Sequence, residues 1–134
     1  MWNDNNGKLS DIVGAVVEGV RGLNEGSDEV FIDTDRGTLK FYHEQDCCEA
    51  VWLQDLEYDN DLIGATVLTA EEVSGEIPEQ SKEDYWDDSQ TWTFYKIETT
   101  KGGIWMRWLG ESNGYYSESV DLNFTPRESG DERV

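Results

Sequence analysis

Three segments of this chain recur further along it, in the same order. Asp11-Ile12-Val13-Gly14-Ala15-Val16-Val17 returns as Asp61-Leu62-Ile63-Gly64-Ala65-Thr66-Val67, at an offset of 50. Ile32-Asp33-Thr34-Asp35-Arg36-Gly37-Thr38-Leu39 returns as Ile97-Glu98-Thr99-Thr100-Lys101-Gly102-Gly103-Ile104, at an offset of 65. Cys48-Glu49-Ala50-Val51-Trp52-Leu53 returns as Ser117-Glu118-Ser119-Val120-Asp121-Leu122, at an offset of 69. Collinear matches with growing offsets point to an internal duplication with insertions in the second copy. The chain then reads as a single domain, 1–134, made of two repeats at about 9–56 and 59–124. With 134 residues it is long enough to bury a core without staples.

Each repeat carries the same local instructions. Asp-aliphatic-aliphatic-Gly reads as a short capped helical turn ended by glycine and feeding a strand. Thr-x-(Arg/Lys)-Gly lies between two β-rich runs and reads as a hairpin turn in which glycine supplies positive φ. The first hairpin is expected to pair Glu29–Asp33 with Thr38–His43, and the second Thr91–Thr99 with Ile104–Leu109. A last strand, near Ala50–Leu56 and Ser119–Phe124, is expected to close each half. Trp92, Phe94, Tyr95, Trp105 and Trp108 give the second hairpin strong β-propensity. The fold expected is mainly β: an internally duplicated β-sandwich or partly open barrel of about eight strands with one or two short helical turns. Asp59–Ile63 is the best helical-turn candidate. Residues 74–90 hold six acids, one Lys and a Pro with little apolar periodicity, and read as an inserted acidic loop. The polar tail 125–134 reads as frayed.

Charge limits the partners. Thirty Asp and Glu against ten Lys and Arg give a formal net charge of −20. A field of that sign repels phosphate backbones and anionic membranes, so direct nucleic-acid or lipid binding is not expected, and a basic protein partner is favoured. The plainer reading, that the acidity only keeps a small cytosolic protein soluble, stands beside it. No apolar run approaches the roughly 20 residues of a membrane span, and the N-terminus lacks a basic and apolar leader pattern. A soluble, unexported protein is expected. Cys47 and Cys48 are adjacent and poorly placed to bridge each other, which fits a reducing cytoplasm.

Chemistry-bearing residues concentrate in one stretch, His43-Glu44-Gln45-Asp46-Cys47-Cys48-Glu49, which holds the sole histidine and both cysteines. Zinc ligands usually come as separated pairs, and adjacent cysteines on a strand point to opposite faces, so no metal or other cofactor is expected there. A Cys/His nucleophile pair oriented by Asp46 is the enzyme reading, opposed by nearby acids that raise a thiol's pKa. The structural reading buries one Cys as an apolar residue and ties His43 to an acid. In the second copy only Glu118 corresponds cleanly, to Glu49, so His and Cys are not required if the two loops do the same job. Tyr85 and Trp86, flanked by Asp84, Asp87 and Asp88, are candidate anchors on a basic partner, unless they fold back onto the core. Asn113-Gly114 favours a tight reversal that displays Tyr115 and Tyr116. No phosphate-cradling loop, nucleophile elbow or basic cluster is present.

At His43–Val51, Leu62–Gly64, Thr91–Ile97 and Ser112–Glu118 the chain resembles a family of small bacteriophage proteins. Those proteins carry a His-x-Gln-Asp-Cys-Cys-Glu-x-Val stretch and then Leu-Ile-Gly, Thr-Trp-Thr-Phe-Tyr-Lys-Ile and Ser-Asn-Gly-Tyr-Tyr-Ser-Glu runs. The resemblance spans Gly14 to Leu122 and implies phage origin and a host-cytoplasmic location, without a catalytic residue set. The function expected is a non-enzymatic phage accessory protein that binds and inhibits a host protein, a nucleic-acid-handling or defence component, through an acidic surface imitating nucleic acid. Its binding residues would be Tyr85, Trp86, Asp84, Asp87, Asp88, Tyr115, Tyr116, His43, Asp46 and Glu49. The alternative is a small-ligand or metal-binding protein, or an enzyme, using His43, Asp46, Cys47 and Cys48. A homodimer through exposed strand edges is a third reading.

Overall fold

Alternation of apolar and polar residues decides the elements, because a strand's side chains point to opposite faces in turn. The computed structural model describes residues 7–44, 49–59, 61–73, 89–112 and 119–126. It has a single-turn 3-10 helix at Leu9–Ile12 and eight strands: β1 Val17–Arg21, β2 Val30–Thr34, β3 Gly37–Tyr42, β4 Ala50–Tyr58, β5 Val67–Val73, β6 Ser89–Thr99, β7 Gly102–Ser112 and β8 Asp121–Pro126. They form two antiparallel four-stranded sheets, ordered β1-β2-β3-β8 and β4-β7-β6-β5. The mainly β fold of about eight strands expected from the pattern is what the chain adopts, as two sheets rather than a closed barrel and, among the described residues, with one of the one or two short helical turns expected. The helical turn falls at Leu9–Ile12, where the Lys8 backbone N–H donates to Asp11 Oδ2 at 2.8 Å. Among the described residues of 59–63 there is none; a turn at Ile63 and Gly64, with Asp61 at a φ of 60°, stands there instead.

The last strands do not close their own halves. β4 leaves the first half to pair with β7, and β8 leaves the second to pair with β3. Each sheet is therefore three strands from one half and one from the other. Around this exchange the two halves repeat the same contacts. Thr34 Oγ1 donates to the Gly37 carbonyl at 2.7 Å, as Thr99 Oγ1 does to Gly102. The Arg36 guanidinium donates to the Val13 carbonyl at 2.9 Å, and the Lys101 ammonium to that of Ile63 at 3.0 Å. Gly37 and Gly102 have φ of 149° and 144°. β1/β2 slips register between Val17 and Gly19, and β5/β6 between Val67 and Thr69. The halves meet at the bridge between Val16 and Thr66, flanked by bonds from Val17 N–H to the Ala65 carbonyl and from Val67 N–H to that of Ala15.

Pairing also corrects the third sequence match. Phe41 faces Leu122 and Met106 faces Leu56. Phe41 and Met106 are the second repeat's offset of 65 apart, so Leu122 corresponds to Leu56, an offset of 66. The offset of 69 had aligned it with Leu53. The bulge between Leu53 and Asp55 adds one residue to β4 and so moves the correspondence by one position, which accounts for only part of that difference of three.

Between the sheets lie Val30, Ile32, Leu39 and Phe41 from the first, and Leu53, Tyr95, Ile97, Ile104, Met106 and Trp108 from the second, all almost fully buried. Each such side chain contributes about 1.5–3 kcal/mol relative to exposure. Phe41 and Tyr95 meet edge to face across the layers, centroids 4.9 Å apart. Burial pushes the Tyr95 hydroxyl well above its ordinary pKa, with the charges of Glu72 and Asp121 adding to it. The tyrosine stays neutral in the core.

Candidate functional site

β3 ends at Tyr42, so His43 is the first residue to leave the first sheet, while Glu49 enters β4 and Asp121 begins β8. The strand exchange brings these three positions together. His43 Nε2 lies 2.5 Å from Glu49 Oε2, and His43 Nδ1 lies 2.8 Å from the Ser119 carbonyl oxygen. Asp121 Oδ2 stands 4.0 Å from Nδ1 and accepts the Glu44 backbone N–H at 2.7 Å. The His43 and Glu49 side chains are 4% and 0% exposed.

This geometry fixes a proton. A carbonyl oxygen only accepts, so Nδ1 must carry hydrogen, and a second hydrogen must lie between Nε2 and the Glu49 carboxylate. Burial works against the charged ring and is the largest single influence on it. The Glu49 hydrogen bond, the Ser119 carbonyl and the charges of Glu49 and Asp121 together outweigh it, so the His43 pKa is raised. The result is a buried imidazolium–carboxylate clip that ties the β3 exit to the entries of β4 and β8. Both ring nitrogens are committed, which leaves neither to act on a substrate.

The structural reading of His43, bonded to a neighbouring acid, is what the geometry gives, and that acid is Glu49. Ser119 and Asp121 were not singled out from sequence: they lie 76 and 78 positions from His43, and only the exchanged strand makes them neighbours. Asp46, Cys47, Cys48, Asp84, Tyr85, Trp86, Asp87, Asp88, Tyr115, Tyr116 and Glu118 lie outside the described residues. Among the described residues no group of three or more His, Cys, Asp or Glu is placed to hold a metal ion. No helix among them is long and apolar enough to cross a membrane.

The cations of the two sheets and their turns are taken up within the chain. Arg21 pairs with Asp33 at 2.8 Å, Lys40 with Glu29 at 3.4 Å, Lys96 with Glu98 at 3.4 Å and Arg107 with Asp55 at 3.5 Å. The Arg21 hydrogen bond, helped by the Thr38 hydroxyl and opposed by burial, holds the Asp33 carboxyl below its usual range. Arg36 and Lys101 are spent on the backbone carbonyls of Val13 and Ile63. Exposed carboxylates at Glu25, Asp28, Glu44, Glu57, Asp61, Glu71 and Glu72 then set the sign of the surface.

Residues 10–122 match a family model described as a domain of unknown function. No curated protein and no solved structure matches the chain.

Proposed function

The chain belongs to that family, DUF7448, and from this premise we propose that it is a non-enzymatic binding protein whose partner is a protein with a basic surface. The observation that carries the reading is the internal pairing of the cations. Arg21, Lys40, Lys96 and Arg107 each lie within 4 Å of a carboxylate of the same chain, so the bases of the two sheets are already engaged and do little to offset the excess of acids behind the formal net charge of −20. Such a field accelerates encounter with a cationic partner and disfavours nucleic acid. A partner that itself holds nucleic acid presents the matching surface, and occupying it inhibits that partner. By the resemblance of its His43–Val51 and Ser112–Glu118 stretches, the setting of this inhibition is a phage-infected cell and its cytoplasm.

The test is capture of host proteins on the immobilised chain, eluted with rising salt and, separately, with duplex DNA. A nucleic-acid-handling protein released by both fits the proposal. A captured partner whose affinity is unchanged in 1 M salt, or which duplex DNA does not displace, sinks it. The His43 clip does not favour the enzyme alternative, since its ring has no nitrogen to spare.

A further inference from the structure

A sandwich has two outer faces, and here they differ. On the first sheet the rings are capped by the chain's own cations. The Arg21 guanidinium lies 4.4 Å from the Phe31 centroid and the Lys40 ammonium 4.5 Å from that of Tyr42. On the second sheet the aromatic content is larger. Cross-strand pairing sets Trp52 and Trp92 on either side of Leu109, and Phe94 beside Arg107. It sets Trp105 between Lys96 and Glu57. Trp52, Trp92, Phe94 and Trp105 are half-buried although they point away from the core.

At the middle of this strip the Arg107 guanidinium lies 5.3 Å from the Trp92 ring and 5.9 Å from Trp105, anchored by the Gln54 side chain at 2.8 Å and by Asp55. The strip therefore already receives one guanidinium in the way aromatic rings attract cations. Beside Trp105 a shallow groove of about 700 Å³ is lined by the carboxylates of Glu57, Asp59 and Glu98 and by Lys96, whose ammonium is paired with Glu98 at 3.4 Å and so leaves Glu57 and Asp59 as the acids facing it. Rings and carboxylates together suit a planar cation, which stacks on one and pairs with the other. A second copy of this chain would bring another −20 to the face and be repelled.

We propose that the outer face of the β4-β7-β6-β5 sheet is where the basic partner docks, through an arginine-bearing segment whose guanidinium groups stack on Trp105 and Phe94 and reach Glu57 and Asp59. This rests on the reading of a basic protein partner and names the surface that meets it.

The experiment is calorimetric titration of the full chain with a hexa-arginine peptide at low salt. Trp105→Leu and Phe94→Leu are compared with Phe31→Leu on the opposite face, and Trp105→Tyr serves as the variant that keeps a ring. All four leave the net charge unchanged, so general attraction to an acidic protein cancels. Trp105→Leu and Phe94→Leu are expected to weaken binding by about tenfold each. Phe31→Leu and Trp105→Tyr are expected to stay within about threefold of wild type. Equal affinity in all variants overturns the docking face while leaving the basic-partner reading intact. Absence of hexa-arginine binding to the wild-type chain overturns both. A dimer by light scattering that Trp105→Leu dissociates also overturns it, because the occupant is then a second copy.

Discussion

His43 shows how one buried side chain can make stability depend on pH. Its folded pKa lies above 6.5, so the charged ring binds its proton more tightly in the folded chain than in the unfolded one. The stabilisation is fully present below the unfolded value and is lost as pH rises through the folded value. Wild-type stability in urea should fall across that window, and His43→Ala should remove the dependence while costing about 3 kcal/mol at pH 6, because the buried Glu49 carboxylate loses the imidazolium charge that offsets its own. Glu49→Gln should invert the trend. The introduced amide donates to a neutral Nε2, Nδ1 keeps its bond to Ser119, and the clip then favours high pH. A Glu49→Gln protein that still loses stability through the same window would show that His43 does not supply it. The pairing of His43 with an acid was legible in the sequence, since a lone histidine among carboxylates rarely stays unpaired. Ser119 and Asp121 were not, because their closeness is a property of the exchange.

At the level of elements, the two hairpins test how far the halves are equivalent. Their turns share the threonine that holds the loop, the base that reaches back to a carbonyl, and a glycine in a conformation side chains rarely adopt. They differ in what the glycine touches. A Cβ at Gly37 would sit 2.3 Å from the Thr125 carbonyl oxygen, backbone of β8, whereas one at Gly102 would sit 2.3 Å from the Asp59 carboxylate. Asp59 would have to shift as well, since its Cβ also comes within 2.7 Å, but it lies beyond the end of β4 and yields more easily than a strand paired along its length. Both substitutions carry the conformational cost of about 1–3 kcal/mol, and Gly37→Ala should be the worse by at least about 1 kcal/mol in thermal unfolding. Equal losses would mean that β8 yields as easily as a side chain. The hairpins were readable because β-propensity, turn glycine and alternation agree over short distances. The Asp59–Ile63 turn was misjudged as helical because its Asp-aliphatic-aliphatic-Gly pattern fits any tight turn ended by glycine, and Asp61 takes a φ of 60° there.

For the whole molecule, exchange of β4 and β8 makes each half incomplete. Cut at residue 60, each fragment keeps three strands of one sheet and a fourth that belongs to the other. Neither fragment should fold alone as a monomer, and mixing them should restore the far-UV spectrum and cooperative unfolding of the intact chain. A fragment that folds alone as a monomer would refute the dependence. The two halves repeat their turn contacts, and each gives its last strand to the other's sheet. The β class, the hairpins, the turn glycines and the sign of the net charge can be read from the residues alone, because they follow from local periodicity and from a sum over residues. Which sheet each last strand joins, the meeting of His43 with Glu49 and Ser119, and the gathering of Trp52, Trp92, Phe94 and Trp105 on one outward face come from long-range pairing instead. Strand pairing is a contest between distant segments of similar pattern, and it is settled by the bulge, the register and the core they fill together.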